Sequence, residues 1–185
     1  MITRQLRKAG AKEVQLAPLC GRRADRQKAM RVIESCQTVF VSGGDVEAGM
    51  RILEEQRMIE FLLDEYEKGK SFLGLSAGSI MLAKSWVRWG DPEIDSSAEL
   101  FPCLGIAPVY CDTHDEGNDW EELLVLARVL PGGAMSYGIA SGTALVVNPD
   151  GSVRALGGDV HCFTRAGDTV SRMPSIQDSK FEIRD

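Results

Sequence analysis

Long apolar runs are absent from this 185-residue chain: none approaches the ~18 consecutive apolar residues that a membrane-spanning helix needs. No membrane partner is therefore expected. The opening residues, Met1-Ile2-Thr3-Arg4-Gln5-Leu6-Arg7, also lack the apolar core of an export signal, so a cytoplasmic protein is expected. Positive charge is in deficit, with a formal net charge of -6, and aromatic residues make up only 6% of the chain. The basic residues near the start (Arg4, Arg7, Lys8, Lys12, Arg22, Arg23) have no interleaved aromatics on which bases could stack, so no nucleic-acid partner is expected. The five cysteines are odd in number, widely spaced and free of any C-x-x-C pair. That argues against a disulfide framework and a zinc knuckle and fits a reducing compartment. Histidine is scarce. Any histidine-dependent chemistry has two candidates, His114 and His161.

What is present, 44% hydrophobic and 26% charged residues, is the composition of an ordinary soluble domain, and the length suits one domain spanning 1–185. Glu13-Val14-Gln15-Leu16-Ala17 alternates as a short strand would, with Pro18 closing it. Apolar spacing predicts a helix over 23–36, and Thr38-Val39-Phe40-Val41 reads as a buried parallel strand. Two helices, 46–53 and 55–68, precede a strand at Phe72-Leu73-Gly74-Leu75. Residues 92–102 read as irregular and 106–111 as a strand. A helix over 119–130 should bury Trp120, Leu123, Leu124, Ala127 and Leu130. The segments 143–147 and 152–156 flank the turn Asn148-Pro149-Asp150-Gly151 as a β-hairpin would, with a further strand over 160–163 and a polar, partly loose tail over 166–185. Strands alternating with helices predict an α/β, three-layer sandwich on a mostly parallel central sheet, with a hairpin near the C-terminus.

The most informative stretch is Gly74-Leu75-Ser76-Ala77-Gly78, which ends an apolar strand and opens a helical run. A serine on such a sharp turn projects its hydroxyl above the sheet, the geometry of a nucleophile elbow. With 19 glycines in the chain, the pattern also fits a strand-to-helix turn in which Ser76 only caps the helix. In an open α/β sheet, ligands bind at the carboxyl ends of parallel strands. Gly43-Gly44-Asp45, Ser76 and Asp112-Thr113-His114 would all meet there. Ser76 is then the candidate nucleophile and His114 its general base. The N–H groups of Gly44 and Ala77 form an oxyanion hole, with Gly43, Asp45 and Ser79 lining the substrate site. Ser42 and Ser79 also suit turn and helix capping.

Four segments in order resemble one family: Val39-Phe40-Val41-Ser42-Gly43-Gly44-Asp45, Gly74-Leu75-Ser76-Ala77-Gly78-Ser79, Leu104 to His114, and Tyr137-Gly138-Ile139 to Val147. Together, over roughly residues 12 to 165, they are similar to peptidase family S51, which includes aspartyl dipeptidase (dipeptidase E) and cyanophycinase. The resemblance implies a class I glutamine-amidotransferase-like fold and a serine hydrolase without cofactor or metal. It would act on a small peptide, with Ser76 as nucleophile and His114 as base. Cysteine takes the nucleophile position in the amidotransferases of this fold, so Ser76 disfavours glutamine hydrolysis.

The departures carry information too. In the cyanophycinase branch a glutamate in the segment before Thr143 orients the histidine, and Ser141 stands in its place here. Asp91, 15 residues beyond Ser76, matches an acidic place of the dipeptidase branch and is the expected third member; Asp112 and Asp115 are alternatives. The arginine that in the dipeptidase branch receives an acidic substrate side chain is replaced by Asp119-Trp120-Glu121, so recognition of an N-terminal aspartate is not expected. The strand and helix that normally precede the Val14 strand are not seen. An uncovered sheet edge would favour a homo-oligomer. Two other readings stand beside this one. One is a catalytically impaired member that binds a peptide or metabolite; the other is an α/β-hydrolase-type esterase using Ser76, Asp112 and His161.

Overall fold

The computed structural model describes residues 2–91 and 94–179. Its helices are α1 (Ile2–Lys8), α2 (Arg26–Ser35), α3 (Val46–Glu55), α4 (Ile59–Glu67), α5 (Ala77–Leu82) and α6 (Glu121–Val129). Its strands are β1 (Thr38–Val41), β2 (Ser71–Gly74), β3 (Ser85–Trp89), β4 (Ala98–Pro102), β5 (Tyr110–Thr113), β6 (Met135–Ile139), β7 (Ala144–Val147), β8 (Val153–Leu156), β9 (Val160–Ala166) and β10 (Thr169–Ile176). The chain divides into two compact units, one built from residues 1–39 and 51–71, the other from 40–50 and 72–185.

In the smaller unit, α2 begins where Asp25 accepts a hydrogen bond from the Lys28 N–H (2.9 Å), which satisfies one of the free donors of the first turn. Its apolar face buries Ala29 and Ile33, and Met58 and Leu62 are buried in the same unit. Glu65 of α4 is buried beside two lysines, Lys68 at 2.7 Å and Lys70 at 3.3 Å. The hydrogen bond from Lys68 holds its carboxyl below the ordinary range against the opposing effect of burial. The strand expected over 13–17 is absent. These residues form no regular element, and Leu16 is 84% exposed. Alternation makes a strand only where one face has a surface to cover and an edge has a partner.

The larger unit carries a four-stranded sheet in the order β10-β9-β6-β5 and two antiparallel pairs, β3-β4 and β7-β8. Within the four-stranded sheet only β5 and β6 run parallel; β9 lies antiparallel to both β6 and β10. The fold is α/β as expected, but the expectation of a mostly parallel sheet is corrected to a mixed one. The reason is local: β9 and β10 are joined across Gly167-Asp168, and a two-residue connection can join only antiparallel neighbours. That same hairpin corrects the expectation of a loose tail, because 169–176 is an edge strand. Its polar sequence suits an edge, and Pro174 sits where the register shifts between Met173 and Ile176. Residues 180–185 of the expected tail lie outside the described residues.

The reading of 92–102 as irregular is also corrected. Residues 98–102 form β4, with Pro102 at its end opposite Ser85, where a missing donor is tolerated; Pro92 and Glu93 lie outside the described residues. The sheet's main core is built on α6, with Leu123, Val125, Leu126 and Leu130 packed with Val87, Trp120 and Phe163. Of the residues expected inside, Trp120, Leu123, Ala127 and Leu130 are buried, but Leu124 is only partly so and Val125 and Leu126 are buried instead. The helix begins at Glu121, after two residues in the left-handed region, Asp119 and Trp120, which rotates its apolar face. A second cluster, Ala83, Val109 and Cys111 with Tyr137 and Ile139 against it, seats the end of α5 beside β5 and β6.

Candidate active site

The site is assembled within the larger unit from the ends of β1, β2 and β5. The Leu75 N–H donates to the Val41 carbonyl (3.0 Å), which brings the segment before Ser76 alongside the end of β1. The chain then turns into α5 within one residue. Ser76 takes φ 54°, ψ -128°, a conformation that side chains seldom adopt and that costs about 1–3 kcal/mol. The strain is held by close packing: a Cβ on Gly43 would sit 3.1 Å from the Ser76 Cβ, so the Gly43 backbone lies directly against the serine side chain. The N–H groups of Gly78 and Ser79 turn back to the carbonyls of Leu75 (3.0 Å) and Ser76 (2.7 Å), closing the first turn of the helix.

His114 follows the last residue of β5. Its backbone N–H donates to the Ile139 carbonyl (2.8 Å) at the end of β6, and it too has a positive φ, 48°. The result is a hydrogen-bonded pair: Ser76 Oγ lies 2.7 Å from His114 Nε2. Two residues 38 apart in sequence, each in a strained backbone conformation, thus meet above the strand ends. A hydroxyl in contact with an imidazole nitrogen is the arrangement that deprotonates a nucleophile as it attacks.

The other expected site residues take varied places. Gly44 is exposed with φ 150°, beside Gly43. Asp45 Oδ1 accepts the Ala48 N–H (2.7 Å) and so caps α3. Ser79 is half-buried on α5, and its carbonyl is approached by the Cys111 thiol at 3.9 Å. Asp91 is exposed in the β3–β4 connection, where the Ser97 hydroxyl accepts its N–H (3.0 Å) and donates to its carbonyl (2.8 Å). Asp115 is a loop brace: Oδ1 accepts from the Asn118 amide (3.0 Å) and Oδ2 from the Glu122 N–H (3.3 Å). His161 is on β9, where its Nδ1 contacts the Arg172 guanidinium at 2.5 Å and its ring lies 5.3 Å from that of Trp120. Burial first, and then the Arg172 charge, press its pKa below the ordinary imidazole value.

Sequence reasoning passed over Glu116 and Glu122, whose charges interact with His114. Glu116 stands two residues after the histidine, the one local signal available. Its partnership with Ser141, whose N–H donates to Oε1 at 3.0 Å, joins residues 25 positions apart and leaves no trace in a sequence pattern. All five cysteines are free thiols; burial pushes Cys103 and Cys111 up to about 12, which keeps them protonated and unreactive.

Asp112 is 5% exposed, and its Oδ2 has no hydrogen-bond partner, while Oδ1 accepts the Thr113 N–H (2.7 Å). Burial, reinforced by Glu122 and Asp115, pushes its pKa up to about 7. The folded protein then keeps a proton that the unfolded chain releases near pH 4, so this group makes stability fall as pH rises from about 4 to about 7 and contributes a constant penalty above that. The shift from 3.8 to about 7 sets an upper bound of about 4 kcal/mol on that penalty. Asp112→Asn removes the titration but still buries an amide, a cost of about 1–3 kcal/mol. The amide cost is the same at every pH, so urea unfolding should show the variant gaining up to about 3 kcal/mol on the wild type between pH 4.5 and pH 8; a pH-independent difference would refute the assignment.

The fold is a mixed α/β one that carries a serine–histidine pair at a strand-to-helix turn. The profile of peptidase family S51 matches residues 3–154, and the chain belongs to that family. It is 30% identical over 158 residues to cyanophycinase from Synechococcus elongatus and, to the same extent, to cyanophycinase from Thermosynechococcus vestitus; each alignment takes in 82% of this chain and 49% of the relative. The chain thus spans about half the length of the curated relatives it matches. Among solved structures, a peptidase from an acI-B1 Actinobacterium aligns with a TM-score of 0.65 and 19% identity, covering 94% of this chain and 72% of that one. A putative peptidase E from Listeria monocytogenes EGD-e aligns with a TM-score of 0.51 and 15% identity, over 68% and 62% of the two chains. These structural likenesses establish a shared fold. Among the described residues, no helix is long and apolar enough to cross a membrane.

Proposed function

We propose that the chain is a serine peptidase that cleaves a small peptide or isopeptide through an acyl-enzyme on Ser76. The observation that carries this reading is the 2.7 Å contact between Ser76 Oγ and His114 Nε2. Ser76 Oγ attacks the carbonyl carbon of the scissile bond while its proton passes to His114 Nε2. The tetrahedral oxyanion is held by the N–H groups of Ala77 and Gly44, and stabilisation of this kind contributes about 3–4 kcal/mol per donor. The C–N bond then breaks, the amine leaves with the proton from His114, and a serine ester remains. Water adds to that ester by the same route in reverse, again with His114 as base, releasing the acid and restoring the hydroxyl. Ser79 and Asp45 border the substrate site, Asp45 by fixing the start of α3 beside Gly43-Gly44.

A fluorophosphonate probe tests this directly. The expected result is one adduct on the intact wild-type protein, mapped to Ser76, lost in Ser76→Ala and in His114→Ala and retained in His161→Ala. Dependence on His161 instead would replace the reading with an esterase of the α/β-hydrolase type. A folded wild-type protein that takes no label would make it a binding protein that has lost its chemistry.

A further inference from the structure

A histidine acting as base beside a serine needs a carboxylate to hold its ring and to balance the charge it acquires. The carboxylates within eight residues of His114 on the same segment include Asp112, Asp115, Glu116 and Glu122. Three of these are less suited. Asp112 is buried with Oδ1 on the Thr113 N–H and Oδ2 without a partner, and burial favours its neutral form; Asp115 uses both oxygens to brace the loop; Glu122 Oε1 accepts the Trp86 indole N–H at 2.5 Å, and burial raises its pKa as well.

Glu116 differs from these in what anchors it. The Ser141 N–H donates to its Oε1 at 3.0 Å, and the His114 N–H donates to the Ile139 carbonyl at 2.8 Å. Residues 114 and 116 of one segment are thereby clamped to residues 139 and 141 of another, in register. The carboxylate is held where Ser141 begins the turn after β6. From the geometry we infer that Glu116 is the positioning carboxylate for His114, carried on the histidine's own loop and docked on the backbone of Ser141. Its anionic form is favoured by the hydrogen bonds from Ser141, and its charge interacts favourably with His114. A serine at 141 fits this arrangement, since a carboxylate side chain there would repel Glu116.

This inference rests on the proposed Ser76–His114 chemistry, and the experiment separates the two. Rates of fluorophosphonate labelling, with kcat and KM for hydrolysis of p-nitrophenyl acetate, are measured for the wild type, His114→Ala, Glu116→Gln, Asp91→Asn and the double variant Glu116→Gln/Ser141→Glu. Glutamine retains the carbonyl that accepts the Ser141 N–H and loses only the charge, so the loop should stay folded, which a thermal melt checks. Because Glu116 is solvent-exposed, the expected fall in kcat is about 10- to 100-fold, short of the ~10⁴ that follows loss of a buried triad carboxylate, with KM little changed. Ser141→Glu in the Glu116→Gln background should recover most of it, since it returns a carboxylate to the other half of the same clamp.

Labelling that requires His114 while Glu116→Gln matches the wild type would overturn the inference and leave the serine chemistry standing. So would a loss that the second-site glutamate does not recover, or a larger loss in Asp91→Asn, which would assign the role to Asp91. A wild-type protein that takes no label takes both proposals down.

Discussion

Ser76→Ala and His114→Ala are each expected to lower kcat by at least about 10⁴-fold on the fastest substrate in a panel of dipeptides and isopeptides, with the double variant no worse than either alone. In the proposed mechanism the hydroxyl and the imidazole act as one unit through their 2.7 Å contact: without the base the hydroxyl would be a poor nucleophile, and without the nucleophile the base would have no proton to accept. Losses in such a unit do not add. Alanine at position 76 keeps the Cβ and the positive φ of serine, so the strain of the turn is unchanged and both single variants should melt close to the wild type. Single-turnover kinetics with the four proteins check this. Losses that multiply in the double variant would show that the two groups act independently and would remove the pair from the mechanism.

Gly78→Ala should destabilise the protein by about 3–5 kcal/mol, which for a chain of this size lowers the melting temperature by about 10 °C. A Cβ at this position would lie 2.1 Å from the Val41 carbonyl oxygen, 2.7 Å from its carbon and 2.8 Å from the Ser42 carbonyl oxygen. All three neighbours are backbone atoms at the end of β1, and backbone cannot rotate away as the tip of a side chain would. The methyl group must therefore push α5 off the strand, which carries Ser76 away from Gly43 and from His114. Labelling of Ser76 should fall together with stability. Gly132→Ala is the matched control, because a Cβ there meets nothing within 4 Å and the backbone does not need a positive φ. Equal denaturation midpoints for the two variants would mean that the strand end and the helix are not packed as described.

The penalty is large because the elbow has no slack. Its glycine contacts, the single-residue turn and the strained serine together fix where the hydroxyl points, and the helix is only six residues long. Rigidity of this kind would suit the proposed chemistry, whose reacting atoms must be placed to within a fraction of an ångström.

Much of the site could be read along the chain. The run ending at Gly44, the Gly74–Gly78 elbow and His114 after an apolar segment are local patterns in which strand, turn and helix signals lie next to one another, and local signals survive folding. The same holds for α6 and for the β7-β8 hairpin, whose Asn148-Pro149-Asp150-Gly151 turn needs no distant partner. Direction of pairing was a different matter. The strand signal over 160–163 says nothing about which way the chain runs beside β6, and the antiparallel β9 and β10 were decided by a short turn and by the edge they complete. Alternation at 13–17 misled for the converse reason: the pattern was present, but no pairing edge or apolar surface received it.

The sequence alone therefore determined the kinds of residue available for chemistry: one serine at an elbow, two histidines and five cysteines with no C-x-x-C pair. The tertiary structure decided which histidine faces the serine and which carboxylate docks on Ser141. His114 and His161 are equivalent as residues; strand order put the first at 2.7 Å from Ser76 and the second beside Arg172. Glu116 came to Ser141 only because β5 and β6 lie in parallel register, so that the residues beyond their ends are brought side by side. A side chain's chemistry is a property of the residue, whereas its partner is set by the packing of distant strands, and only the folded chain brings those together.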